Sequence, residues 1–195
     1  MANVLVPLAE GFEELEAVTV IDLLRRAQID VSVAGLASGP VKGSRSTVIV
    51  PDLSLDAALG REYDMVVLPG GQPGATHLEQ DERIMALLRK MATEQRYTAA
   101  ICAAPKVLAA AGILNGKRAT SYPDAIDADQ YPQVTLAAQS YVTDGQVVTS
   151  KGPGTAMDFA LELIRLLVGK QKRDEVEAAL QRPAEQALSQ LADWG

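Results

Sequence analysis

The chain holds one cysteine, Cys102, and one histidine, His77, among 195 residues. A single cysteine excludes an internal disulfide and a cysteine-based zinc site. The lone histidine has no orienting partner beside it and reads as a surface or helix-start residue rather than a base. There is no basic block, and the formal net charge is −7. Both features argue against specific nucleic-acid binding. No apolar run approaches the length needed to span a bilayer. Gly-Lys-Ser/Thr is absent, so there is no phosphate loop. The first residues, Met1 to Pro7, show no basic segment followed by an apolar one, so no signal peptide is expected. These absences predict a cytoplasmic protein that needs no metal, cofactor or membrane, with a thiol kept reduced by its surroundings.

What is present is an alternation of apolar strands and amphipathic helices. Asn3–Pro7, Asp30–Leu36, Asp64–Leu68 and the run Thr98-Ala99-Ala100-Ile101 read as strands, several of them apolar throughout. Val41–Val50 reads as a small hairpin or edge strand, and Val134–Ala137 and Gln146–Thr149 as later strands. Helical spacing covers Glu13–Ala27, with Leu15, Val18, Ile21 and Leu24 near one face, and Asp81–Thr93. Helices are also expected over Ser54–Leu59, Pro105–Ala111, Thr155–Val168 (Met157, Leu161, Ile164 and Leu167-Val168 on the apolar side), Asp174–Leu180 and Pro183–Leu191. Buried strands alternating with helices predict an α/β fold: a mostly parallel sheet with helices on both faces. The whole chain, 1–195, is expected to form one domain. Residues 183–195 would be a C-terminal helical extension that docks Ala184, Ala187, Leu188 and Leu191 on a surface not identified by the sequence.

In such sheets ligands sit beyond the carboxyl ends of the strands. Cys102 lies at one such end and Pro69-Gly70-Gly71 at another. A thiol on a sharp strand-to-helix turn projects above the sheet, beside a helix N-terminus that favours an anion. A free cysteine is only about 3% thiolate at pH 7, and a pKa near 5.5 would make it almost entirely thiolate. The competing reading is a buried cysteine serving as a small hydrophobe. Gly70-Gly71 permits close backbone approach, with amides able to face an oxyanion, or simply ends a strand. Thr155 could be the N-cap of the helix that follows it.

Four motifs stand in order: Glu10-Gly11-Phe12-Glu13-Glu14-Leu15-Glu16, Leu68-Pro69-Gly70-Gly71, Ala100-Ile101-Cys102-Ala103-Ala104-Pro105 and Ser150-Lys151-Gly152-Pro153-Gly154-Thr155. Together they resemble the ThiJ/PfpI superfamily, in particular its parkinsonism-associated deglycase branch with bacterial YajL-like members. The resemblance runs from Asn3 to about Leu180. It implies a flavodoxin-like three-layer sandwich, a homodimer and a nucleophile elbow at Cys102. It makes Glu16 the acid that contacts the elbow sulfur, where the residue alone reads as solvated like Glu13 and Glu14. It implies oxyanion donors at the Gly71 and Ala103 amides, with Gly70, Tyr122 and Pro153 bordering the site. Arg45 matches a family arginine near the dimer interface. The chain departs from the family at Tyr122, where many relatives carry a histidine, so a cysteine-protease triad lacks its base and a low rate is expected.

An ionised Glu16 beside a thiolate would raise the cysteine pKa, so the pair is expected to hold one negative charge, with the proton on Glu16 and the charge on sulfur. The implied activity is cofactor-free chemistry on small 2-oxoaldehydes: glyoxalase III-type conversion of methylglyoxal to lactate, or deglycation of glyoxal adducts. The alternative is an oxidative-stress sensor or chaperone working through oxidation of Cys102 to the sulfinate.

Overall fold

The computed structural model describes residues 1–182. In chain order, β1 (Asn3–Leu8), α1 (Glu14–Arg26) and β2 (Asp30–Gly35) precede the hairpin of β3 (Val41–Lys42) and β4 (Val48–Ile49). Then come β5 (Leu53–Ser54), α2 (Leu55–Ala58), β6 (Met65–Leu68), α3 (Gly74–Gln80), α4 (Glu82–Thr93), β7 (Tyr97–Ile101) and α5 (Pro105–Ala110). The last part holds β8 (Arg118–Ala119), β9 (Thr135–Leu136), β10 (Tyr141–Asp144), β11 (Val147–Ser150), α6 (Ala156–Val168) and α7 (Lys170–Ala179).

Seven strands form the main sheet in the order β10-β11-β7-β6-β1-β2-β5. All neighbours are parallel except β10, which runs antiparallel to β11 as an edge. From β1 the chain steps to β2 on one side, whereas from β6 it steps to β7 and β11 on the other. Right-handed crossovers then place α1 and α4 on opposite faces. α6 packs on α1, and α4 packs on β6 and β7. This is the expected flavodoxin-like α/β architecture. Its strand order reverses between β1 and β6, the crevice where such sheets accept ligands. Strands β6 and β11 are buried along their full length, as helices on both faces require.

Several expectations need correction. Leu15 and Val18 are 64% and 48% exposed, and the buried face of α1 is formed by Ala17, Val20, Leu23 and Leu24 with Glu14 and Glu16. The helix carries two apolar stripes, and the one that includes Leu23 and Leu24 is buried. Met157 is likewise exposed on α6, where Phe159, Ala160, Leu163 and Ile164 are in the core. Val134–Ala137 contributes only the short β9, paired with β8 outside the main sheet. The sheet edge is instead β10, of which only Val142 is buried. α3, which opens on Gly74 without a side-chain cap, has no helical signature in the sequence. α7 starts at Lys170, four residues before the expected Asp174. The Pro183–Leu191 helix lies outside the described residues.

Candidate active site

The elbow is built from backbone. Immediately after β7, Cys102 takes φ +63°, a left-handed conformation that costs a non-glycine residue on the order of 1–3 kcal/mol. Hydrogen bonds hold it there: its N–H donates to the Ser150 carbonyl (2.9 Å), and its carbonyl accepts from the Tyr122 N–H (2.8 Å). The short α5 begins only at Pro105, so the nearest help for the sulfur is the Ala103 amide rather than the helix as a whole. The amides of Ala103 and Gly71 both act to lower the thiol pKa.

Glu16 reaches the same point from α1. The helix is capped by Glu13, whose Oε2 accepts the Glu16 N–H at 2.8 Å, so the first turn holds Glu16 facing the sheet. Its side chain is fully buried. Oε2 accepts the Gly70 N–H at 2.8 Å, and Oε1 has no hydrogen-bond partner of good geometry. Burial pushes the carboxyl up to about 7, against the Gly70 bond and the Cys102 contact, which lower it.

Gly70 and Gly71 are required here for two different reasons. A Cβ on Gly70 would stand 2.6 Å from Cys102 Cβ and 2.8 Å from Glu16 Oε2, so only glycine lets the two groups meet. Gly71 has φ +87°, and a Cβ there would lie 2.5 Å from the Gly11 carbonyl oxygen and the Glu13 nitrogen. The glycines therefore hold open the close packing of three elements.

The ionisation differs from the expected thiolate. Burial, the Glu16 charge and the Glu16 contact outweigh the two amides and push the Cys102 thiol up to about 12. Thus the pair shares a proton, but with Glu16 ionised that proton stays on sulfur. Neutralising Glu16 removes one of the causes that raise the thiol.

The remaining predicted residues lie around this pair. Tyr122 is bonded to Cys102 through its backbone, and its half-exposed side chain stands at the rim, with Cδ2 3.6 Å from where a Gly152 Cβ would be. Pro153, next to Gly152, opens a 3₁₀ turn, Pro153–Thr155, and meets the border only through that neighbour. Thr155 is the N-cap residue of α6, as expected, but its side chain makes no cap bond: its hydroxyl donates to the Gly152 carbonyl (2.9 Å) and accepts from the Gly152 N–H (3.1 Å), closing the turn. His77 sits on α3 with Nδ1 3.0 Å from the Glu10 carbonyl oxygen. The Arg45 N–H donates to Glu14 Oε1 at 2.6 Å, in the turn of the β3–β4 hairpin. Ser150 escaped sequence reasoning; its carbonyl anchors the elbow and its hydroxyl lies 2.7 Å from Thr155 Oγ1. Among the described residues, no group of three or more His, Cys, Asp or Glu side chains is placed to hold a metal.

A strained cysteine at the carboxyl end of a parallel strand, facing a buried carboxyl across a glycine pair, defines a cysteine-elbow α/β protein. Comparison makes the class specific: the chain belongs to the DJ-1/PfpI family, whose sequence model matches residues 2–166. It is 45% identical over 180 residues to Protein DJ-1alpha of Drosophila melanogaster, covering 91% of this chain and 83% of that protein. A relative named glutathione-independent glyoxalase DJR-1.2, from Caenorhabditis elegans, is 34% identical over 90% of this chain and 92% of its own length. The crystal structure of Drosophila melanogaster DJ-1beta superposes with a TM-score of 0.89 at 41% identity, covering 94% of this chain and 99% of that one. Among the described residues, no helix is long and apolar enough to cross a membrane.

Proposed function

We propose that the protein is a cofactor-free enzyme converting 2-oxoaldehydes such as methylglyoxal to 2-hydroxy acids, with the elbow chemistry also suited to glyoxal adducts. The observation that carries this reading is the buried Glu16, raised to about 7, in contact with the Cys102 thiol on its strained turn. A carboxyl poised near neutral pH can both take and return a proton. The glyoxalase name of one relative supports the same class of substrate.

Ionised Glu16 takes the Cys102 proton as sulfur bonds to the aldehyde carbon, which removes the charge that opposes a thiolate. The carbonyl π electrons move to oxygen, where the Gly71 and Ala103 amides stabilise them until Glu16 hands that oxygen the proton it took from sulfur, which leaves Glu16 ionised for the next step. From the hemithioacetal, Glu16 moves a proton from the sulfur-bearing carbon to the adjacent carbon by way of an enediol. The product is a lactoyl thioester. Water then attacks the thioester carbonyl, the C–S bond breaks, and lactate leaves with Cys102 restored as the thiol. Tyr122 stands where many relatives carry a histidine that would assist proton movement, so a modest rate is expected. The same reading includes a homodimer. α1 and α6 pack together and leave Leu15, Val18 and Met157 outside, and the hairpin adds exposed Val48 and Val50.

Lactate production from methylglyoxal by wild type and Cys102→Ser tests the proposal. The expected loss is at least about a thousandfold, the scale of removing a covalent nucleophile; equal rates would overturn it. Oxidative sensing is favoured by one feature: a protonated Glu16 and two amides would hydrogen-bond a Cys102 sulfinate well. Rapid sulfinate formation under mild peroxide, in protein with no turnover, would select that reading.

A further inference from the structure

Strands buried on both faces are apolar, and β6 is apolar throughout. β11 departs from this at its carboxyl end. Thr149 and Ser150 are 1% and 0% exposed, and a hydroxyl at that depth costs free energy unless it is bonded. Both are bonded, and both bonds lead to the elbow. Ser150 Oγ donates to the Ser140 carbonyl at 2.9 Å and lies 2.7 Å from Thr155 Oγ1, which fixes the residue whose carbonyl accepts the Cys102 N–H. Thr149 Oγ1, on the opposite face of the strand, accepts the Thr120 N–H at 2.9 Å. Thr120 lies two residues before Tyr122, whose N–H holds the Cys102 carbonyl. The two hydrogen bonds that keep Cys102 at φ +63° are thus each braced by a hydroxyl of adjacent residues on β11.

We propose that Thr149 and Ser150 are positioning residues that hold Cys102 in its left-handed turn and so keep its sulfur against Glu16. A left-handed cysteine is strained, and it relaxes towards the ordinary right-handed or extended regions when its anchors slacken. Removing the Ser150 hydroxyl frees the carbonyl that carries the Cys102 N–H. Removing the Thr149 hydroxyl leaves the buried Thr120 N–H without an acceptor, so the segment from Thr120 to Tyr122 shifts to find one. Either change lets the sulfur swing away from the buried carboxylate. Burial and Glu16 are what push the thiol up, so a released sulfur ionises more easily while standing in the wrong place to react with a bound aldehyde. Reactivity towards a free alkylating agent and competence in turnover therefore move in opposite directions. The consequence for turnover rests on the 2-oxoaldehyde reading above; the hold on the sulfur does not.

The test is the rate of iodoacetamide alkylation of the full chain at pH 8.5, followed by intact mass, since the chain has one thiol. Thr149→Val and Ser150→Ala should each alkylate at least about fivefold faster than wild type. Thr149→Ser, which keeps the hydroxyl, should return the wild-type rate. Thr155→Val removes the hydroxyl partner of Ser150 from a half-buried position; it should accelerate in the same direction, and it carries the test if a strand variant does not fold. Thr143→Val, which removes a β10 hydroxyl bonded to Glu162, should leave the rate unchanged. Urea below the unfolding transition should not accelerate the fast variants further, because reaction through global unfolding rises steeply with urea and reaction of the native thiol does not. With methylglyoxal, Thr149→Val and Ser150→Ala should lose about tenfold in kcat and change less than about threefold in KM. Wild-type alkylation rates, rates that climb with urea, failure of Thr149→Ser to rescue, or an unchanged kcat would overturn the positioning role. If wild type makes no lactate and the alkylation pattern still holds, the enzymatic reading falls and the hold on the sulfur stands.

Discussion

Glu14 and Glu16 are two residues apart on one helix, and the protein treats them in opposite ways. Glu14 faces the hairpin turn. Its carboxylate accepts the Arg45 N–H at 2.6 Å, the Thr47 N–H at 3.2 Å and the Ser44 hydroxyl at 3.2 Å. Burial works against its charge, but these donors together hold it below its ordinary value. Glu16 faces the elbow, is buried further, and finds one amide for two oxygens. Its pKa therefore rises. Depth of burial, and then donor count set by which element lies opposite, separates an anion that anchors a loop from a carboxyl able to exchange protons near pH 7.

Paired substitutions test the contrast most strongly in turnover. Glu16→Gln keeps the shape and the acceptor for Gly70 but cannot exchange a proton, so methylglyoxal turnover should fall about 10²- to 10³-fold. Glu14→Gln should change it only a few-fold, because that carboxylate touches the hairpin and not the sulfur. Similar losses from both, read as initial rates of lactate formation, would dissolve the distinction.

Stability should diverge with pH next. Glu16 rises from 4.5 to about 7 on folding, so between those values the folded state binds more protons than the unfolded one. Its neutral form is favoured at low pH, and stability is lost as pH rises through about 7. A shift of that size corresponds to about 3 kcal/mol. Glu14, lowered on folding, has the reverse sign: its contribution is present above its ordinary value and lost as pH falls through the folded one. Urea denaturation from pH 5 to 8.5 should show Glu16→Gln gaining on wild type as pH rises, while Glu14→Gln keeps a constant deficit there and closes on wild type only below pH 4.5. Parallel curves for the two variants would refute the opposite environments.

The fold was legible where the sheet demands uniform burial. β1, β2, β6, β7 and β11 are apolar runs ended by turn residues, and their ladders match the expected strands. β10 was not legible because an antiparallel edge buries one residue, Val142, and leaves Tyr141 exposed. The face of α1 misled because the helix carries two apolar stripes of similar character: Leu15 and Val18 lie on the exposed one, and Ala17, Val20, Leu23 and Leu24 on the buried one. At the site, the strand-to-turn position of Cys102 was readable, and the resemblance supplied Glu16. The direction of the thiol pKa was not, because the sequence displays amides and a nearby helix but not the desolvation that outweighs them. Gly70 read either as a point of close backbone approach or as a strand ending; the positions of Cys102 and Glu16 around it show why a side chain is excluded.

That desolvation leads to the smallest expected effect. Cys102 is raised first by burial and next by the charge on Glu16, and only the second is removed by Glu16→Gln. The glutamine oxygen can keep the Gly70 bond while its amide group donates towards sulfur, as a protonated carboxyl would. The variant's thiol should therefore titrate lower than wild type but stay above an ordinary cysteine, since burial remains. At pH 8.5 a drop of about one unit gives roughly tenfold faster alkylation by iodoacetamide. Cys102 is the only thiol in the chain, so mass analysis of the intact protein reads this rate without ambiguity. Glu14→Gln should leave the rate unchanged. If Glu16→Gln alkylates no faster than wild type, burial alone governs the sulfur, and Glu16 does not control its charge.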